Sequence, residues 1–194
     1  MGKLTALAVA LALSCAPPAH GEVGQWRPLI DEASLRFGVP VAWIERVMRA
    51  ESAGRTQLAG RPIVSHAGAM GLMQLMPGTW AAMRDRLGLG RDPHHPRDNI
   101  LAGTQYLRLM YEQFGYPGLF GAYNAGPKRY ADHLARGRAL PAETRLYMAA
   151  TAGVGGRLES GARLPRDIVR IPGIAPAPSA IFFPLSQPDR GSQP

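Results

Sequence analysis

Apolar positions recur with a helical period from Glu22 to about Ala152. Trp26, Leu29, Ile30, Ala33 and Phe37 share one face, and Gly38 ends that run. Pro40 opens a second helix at its first turn, where a missing N–H costs little. Its stripe is Ile44, Val47, Met48 and Glu51, and Gly54 stops it. Residues 55–71 read as loop, with a turn at Gly60-Arg61-Pro62 and at most a small hairpin near 57–65. Leu72–Met76 reads as one helical turn closed by Pro77-Gly78. Thr79 is placed to cap a helix carrying Trp80, Met83 and Leu87. Asp98 is placed to cap a longer helix with Ile100, Leu101, Thr104, Leu107, Tyr111 and Phe114 on one side. Short helices are expected around Leu119–Asn124 and Lys128–Arg136, and a last one from Ala142 to about Ala152. The pattern predicts a mainly α domain over residues 22–153.

Both ends depart from this pattern. Residues 154–194 hold seven prolines and no sustained period, which reads as a flexible Pro/Gly-rich tail. Within it Ala180-Ile181-Phe182-Phe183-Pro184-Leu185 is an apolar island suited to docking on the domain or on a partner. At the other end, Lys3 precedes an apolar run from Leu4 to Leu13, too short to span a membrane. Small residues at Ala19 and Gly21 then predict a signal peptide, residues 1–21, cleaved after Gly21. The mature chain is expected in the periplasm. A rival reading makes Cys15 a lipoprotein anchor, but Ala12-Leu13-Ser14 fits the usual Leu-small-small pattern poorly.

Composition narrows the function classes. Of 194 residues 46% are hydrophobic and 19% charged, which suits one globular domain. The single Cys excludes an intramolecular disulfide and a Cys-based zinc site. No segment is apolar enough for a transmembrane span. The net charge of +8 comes from scattered arginines, without the aromatic–basic interleaving of a nucleic-acid module, so no nucleic-acid partner is expected. His94-His95 has no evident third ligand and reads as a solvated loop pair, so neither metal nor cofactor is expected.

The chemical clue is Glu51. A carboxyl on the apolar stripe of its helix is desolvated, which raises its pKa and favours the acid form. The helix C-terminus opposes its negative charge further. An acid still protonated near neutral pH can protonate a leaving oxygen. A Glu at a helix end that is merely solvated or paired with an Arg is the plainer alternative. Downstream, Gly68 and Gly71 would let a ligand approach backbone closely. Gln74 is polar inside an apolar run; a sugar amide or the protein's own backbone would satisfy it.

Five ordered motifs carry a resemblance. They are Glu51-Ser52; Gly68-Ala69-Met70-Gly71-Leu72-Met73-Gln74-Leu75-Met76-Pro77; Asp92-Pro93 with Asn99-Ile100, Gly103 and Tyr106-Leu107; Ala122-Tyr123-Asn124-Ala125-Gly126-Pro127; and Pro141-x-Glu143-Thr144-Arg145-x-Tyr147. Over roughly residues 24–150 the chain resembles the lysozyme-like lytic transglycosylases of glycoside hydrolase family 23, the soluble-lytic-transglycosylase catalytic domain. The resemblance implies a lysozyme-like α fold with a glycan groove, Glu51 as the single acid/base, and peptidoglycan as substrate. It implies Ser65, Gln74, Tyr123 and Glu143 as groove residues that position the sugar and the catalytic carboxyl, with Met73 and Tyr147 as further substrate contacts. Glu51 and Ser65 lie 14 residues apart, longer than usual for the family, with the extra residues near Leu58–Pro62.

Most glycosidases use two carboxylates. The resemblance implies one, with intramolecular attack by the muramoyl 6-hydroxyl and a 1,6-anhydromuramoyl product. It is similar to the small members associated with conjugation or type IV secretion, so an envelope machine bound through the C-terminal tail is a candidate partner. A hydrolytic muramidase on the same scaffold and a non-catalytic wall-docking protein are the competing readings.

Overall fold

A computed structural model describes residues 23–152. The proposed signal peptide, Cys15 and the 154–194 segment lie outside the described residues. Seven helices and one two-stranded sheet make up the described fold: α1 Arg27–Phe37, α2 Val41–Ser52, β1 Gln57–Leu58, β2 Arg61–Pro62, α3 Pro77–Leu87, α4 Pro96–Phe114, α5 Gly118–Ala125, α6 Pro127–Arg136 and α7 Ala142–Ala152. The mainly α reading holds, and the hairpin falls inside the 57–65 window, with Gln57 opposite Pro62 and Leu58 opposite Arg61.

The helix boundaries differ from the periodicity in instructive places. Pro77 opens α3 rather than closing a preceding turn, and Thr79 lies inside that helix. A proline in the first turn forfeits no intrahelical bond, so it starts a helix as readily as it ends one. Likewise α4 begins at Pro96, with His95 as its cap: the His95 Nδ1 accepts the Asp98 N–H at 3.4 Å. Asp98 sits within the first turn, where its charge suits the helix dipole. Helix α2 ends one residue earlier than expected, on Ala53 in the left-handed conformation (φ 55°), whose N–H returns to the Arg49 carbonyl. Leu72–Met76 forms turns and bridges instead of a helical turn, since Met70 pairs with both Val64 and Leu75.

Helix α4 is the central element, packed against α1, α3 and α5. Ile100, Leu101, Ala102 and Leu107 are wholly buried on it. Trp43 of α2 is the largest core side chain, boxed by Tyr111, Tyr116 and Phe120 at ring-centroid separations of 5.4, 5.3 and 6.1 Å. Helix α5 is apolar on most sides and is covered by α4, α6 and α7. Helix α7 also packs on α2. Because α7 packs on both α2 and α5, side chains of α5 and α7 meet Glu51. None of the described helices is long and apolar enough to cross a membrane.

Candidate active site

Glu51 stands in the last turn of α2, one position before the buried Ser52. The Ser52 Oγ donates to the Leu72 carbonyl at 2.8 Å and accepts the Gly54 N–H at 3.1 Å. The hydroxyl thus ties the end of the glutamate's helix to the turn that carries Gln74. Sequence reasoning matched Ser52 to a motif without assigning it this role.

Burial pushes the Glu51 carboxyl up to about 7. Desolvation is the largest cause, and the negative charge of Glu143 adds to it. Interaction with the Tyr147 hydroxyl opposes both, because a phenol favours the carboxylate. That hydroxyl is buried and has no hydrogen-bond partner within normal distance among the described residues. The Glu51 carboxyl is the acceptor nearest its reach, and each group shifts the proton affinity of the other. Burial also holds the Tyr147 and Tyr123 phenols well above their ordinary value, so both remain protonated donors.

The other expected site residues differ in what they bond to. Tyr123 of α5 is buried beside Glu51, but its Oη is committed, donating to the Met73 carbonyl at 2.8 Å. Its ring packs on Tyr106, with centroids 5.2 Å apart. Gln74 is half-buried with φ 47°, a left-handed conformation that a non-glycine residue rarely adopts. Its Nε2 donates to the Gly71 carbonyl at 2.8 Å, so the backbone satisfies that end of the amide. Ser65 is exposed, and its Oγ accepts the Ala69 N–H at 3.0 Å, closing its own loop.

Met73 was expected to contact substrate, and the structure places it in the core. Its side chain is fully buried against Gly103, where an added Cβ would sit 2.5 Å from the Met73 Cβ. It is core filler, and only its carbonyl takes part in the site, through Tyr123. A thioether side chain in an alternating turn can face either way, and the sequence carries no signal for which.

Asn99 is the residue whose role sequence reasoning missed. Wholly buried, it donates from Nδ2 to the carbonyls of Met70 (3.1 Å) and Pro93 (2.8 Å), and its Oδ1 accepts the Met73 N–H at 2.7 Å. It clamps both ends of the turn that precedes Gln74. Gly71 is required beside it: with φ 75°, a Cβ there would lie 2.3 Å from the Asn99 Nδ2. No group of three or more His, Cys, Asp or Glu side chains that could hold a metal ion occurs among the described residues.

Helix α2 thus presents a buried carboxylic acid, raised to about 7, to the Tyr147 phenol and to the Glu143 carboxylate, a set suited to giving and retrieving one proton. A model of the transglycosylase SLT domain matches residues 28–145, a span that takes in Glu51, Ser65, Gln74, Tyr123 and Glu143. The chain belongs to the transglycosylase SLT domain family. It is 36% identical over 122 residues to the membrane-bound lytic murein transglycosylase C of Glaesserella parasuis serovar 5, covering 58% of this chain and 30% of that one. It is 44% identical over 84 residues to the soluble lytic murein transglycosylase of Salmonella typhimurium strain LT2, covering 39% of this chain and 13% of that one. The chain therefore spans less than a third of the length of these curated relatives.

Solved structures agree on the SLT fold. An inactive Glu-to-Gln mutant of the lytic transglycosylase Slt from Pseudomonas aeruginosa superposes with a TM-score of 0.57 at 30% identity, over 69% of this chain and 24% of that one. The 70-kDa soluble lytic transglycosylase of Escherichia coli gives 0.56 at 30% identity, over 65% and 22%.

Proposed function

We propose that this SLT-domain protein is a peptidoglycan lytic transglycosylase that uses Glu51 alone as acid and base. The observation that carries the reading is the burial of the Glu51 carboxyl beside Tyr147 and Glu143, which pushes it up to about 7. Membership of the SLT family and relatives named as lytic murein transglycosylases supply the substrate class. Glu51 protonates the oxygen of the MurNAc-β-1,4-GlcNAc bond as the muramoyl C1–O bond breaks, and the GlcNAc hydroxyl leaves with that proton. The muramoyl 6-hydroxyl then attacks C1 on the same sugar and returns its proton to the Glu51 carboxylate. No water is consumed, and the product is a 1,6-anhydro end. A nucleophile tethered to the reacting sugar has a high effective concentration.

Mass spectrometry of soluble fragments from purified sacculi tests this directly. Fragments one water lighter than reducing-end muropeptides support the reading. Reducing ends indicate a muramidase, and no soluble product indicates a docking protein.

The environment of Glu51 predicts a pH signature. Cleavage needs the acid form, so activity should fall as pH rises through about 7. Tyr147→Phe removes the group that favours the carboxylate, so its alkaline limb should move to higher pH. Glu143→Gln removes a like charge, and its limb should move to lower pH. Rate–pH profiles of the two variants check this, and shifts in the same direction would contradict the arrangement.

Action in the periplasm follows from the predicted signal peptide. Recruitment by a secretion or conjugation machine through residues 154–194 rests on the apolar island around Phe182-Phe183. Equal association of a chain lacking that segment would remove this role.

A further inference from the structure

An open depression of about 370 Å³ lies at the C-terminal end of α2, lined by Gln25, Trp26, Gly54, Arg55, Thr56 and Gln57. Its lining includes none of Glu51, Gln74, Tyr123, Glu143 and Tyr147, yet Arg55 follows Glu51 by only four positions. Several of its walls are tied back to the backbone. The Trp26 indole N–H donates to the Gly54 carbonyl at 2.8 Å, which pins the ring to the loop leaving the helix. Arg55 donates from its backbone N–H (3.1 Å) and from Nε (3.2 Å) to the Ser52 carbonyl. Gln57 is held at the start of the hairpin by its register with Pro62.

The chemistry of this lining is specific. The terminal guanidinium nitrogens of Arg55 have no acidic partner among the described residues, and no acidic side chain lines the depression. Arg49 and Arg61, on the neighbouring turn and hairpin, also form no ion pair there. A guanidinium tethered through Nε keeps its terminal nitrogens for a carboxylate, which it can grip through two hydrogen bonds. Thr56 and Gln57 offer the donor and acceptor pairs that peptide amides need. The indole supplies a flat apolar wall. A neutral sugar would leave the cation unmatched, and a nucleic acid would need several cations in register.

We propose that this depression is a second binding site, for a carboxylate-bearing peptide, and that its occupant is a stem peptide of the peptidoglycan. The choice of occupant rests on the proposed function, whereas the anionic-peptide chemistry does not. A stem bound there would hold wall material against the end of the helix that carries Glu51.

Trp26 is a built-in reporter. Trp43 and Trp80, the other tryptophans, are 1% and 5% exposed, whereas Trp26 is only partly buried. Titration of the full chain with free stem peptide should give a saturable change in tryptophan fluorescence, absent in Trp26→Phe. Arg55→Gln should weaken binding about tenfold or more, as should amidation of the peptide's carboxylates. Gln57→Ala, at an exposed position outside the helices, should weaken it less while leaving the melting temperature unchanged; it keeps the test valid if Arg55→Gln disturbs the α2 terminus. Glu51→Gln should bind as the wild type does. No saturable change, or undiminished binding by Arg55→Gln and Gln57→Ala, overturns the site. Equal binding of an unrelated peptide of the same charge overturns the stem as occupant. Stem binding by a chain that releases nothing from sacculi would refute the activity and leave the site standing; intact cleavage without stem binding does the reverse.

Discussion

Glu51→Gln should fold normally and lose cleavage of sacculi by about a thousandfold or more, since one group supplies both proton transfers and each is worth roughly 10²–10⁴. Glutamine keeps the shape of the side chain and can neither give nor take the proton. The same substitution has an opposite effect on stability. A carboxyl raised from 4.5 to about 7 binds its proton more tightly in the folded chain than in the unfolded one. Stability is therefore lost as pH rises from 4.5 through 7, and none is lost below that window. Glu51→Gln escapes the penalty, so it should melt above the wild type at about pH 8 and level with it at about pH 4. Loss of activity together with this pH-dependent gain in melting temperature is the signature of a buried catalytic acid. A variant that kept wild-type cleavage would sink the assignment, and one that melted lower at every pH would show Glu51 to be a structural residue.

The paired readouts separate chemistry from architecture at this site. Tyr147, with its hydroxyl, and Glu143, with its like charge, act on the proton affinity of Glu51. Ser52 acts on position: its hydroxyl joins two backbone segments 20 residues apart. Changes to the first pair should move the pH limb, whereas a change to Ser52 should lower the rate with the limb unmoved.

The sequence made the helices legible wherever glycine and apolar spacing agreed, as in Ala142–Ala152 and in the run ending at Gly115. It misjudged the turns around Pro77 and Pro96, where one residue type both starts and stops helices. The burial of Glu51 was legible because a carboxylate on an apolar stripe breaks a local pattern. The orientation of Met73 was not, because Gly103, the residue that makes room for it, is thirty positions away. Nor were the Ser52 and Asn99 bonds, which run between side chains and backbone far apart along the chain and leave no periodic trace. Gln74 is intermediate: the sequence marked it as an anomalous polar residue, but its left-handed backbone emerges only from the bridges at Met70 and Leu75 and from the Asn99 clamp.

Asn99 therefore carries the second large prediction. Asn99→Ala removes three hydrogen bonds at once; it leaves the carbonyl of Pro93 and the N–H of Met73 without partners and the carbonyl of Met70 with only the Leu75 N–H. At about 1 kcal/mol or more for each buried group, with a small cavity added, the loss should reach about 3–4 kcal/mol. For a domain of this size that lowers the melting temperature by roughly 10 °C. The effect on catalysis should be indirect. The turn from Met70 to Gln74 loses its anchor, so the rate should fall while the alkaline limb stays near 7, because none of the groups that set the Glu51 proton affinity has changed. Asn99→Asp makes a sharper test. It keeps an acceptor for the Met73 N–H but turns carboxylate oxygen toward two carbonyls, so it should destabilise at least as much as alanine despite being nearly isosteric. Thermal melts and rate–pH profiles of the two variants decide the matter: melting within a degree or two of the wild type would mean that the clamp is dispensable, and a displaced pH limb would mean that Asn99 acts on the acid itself.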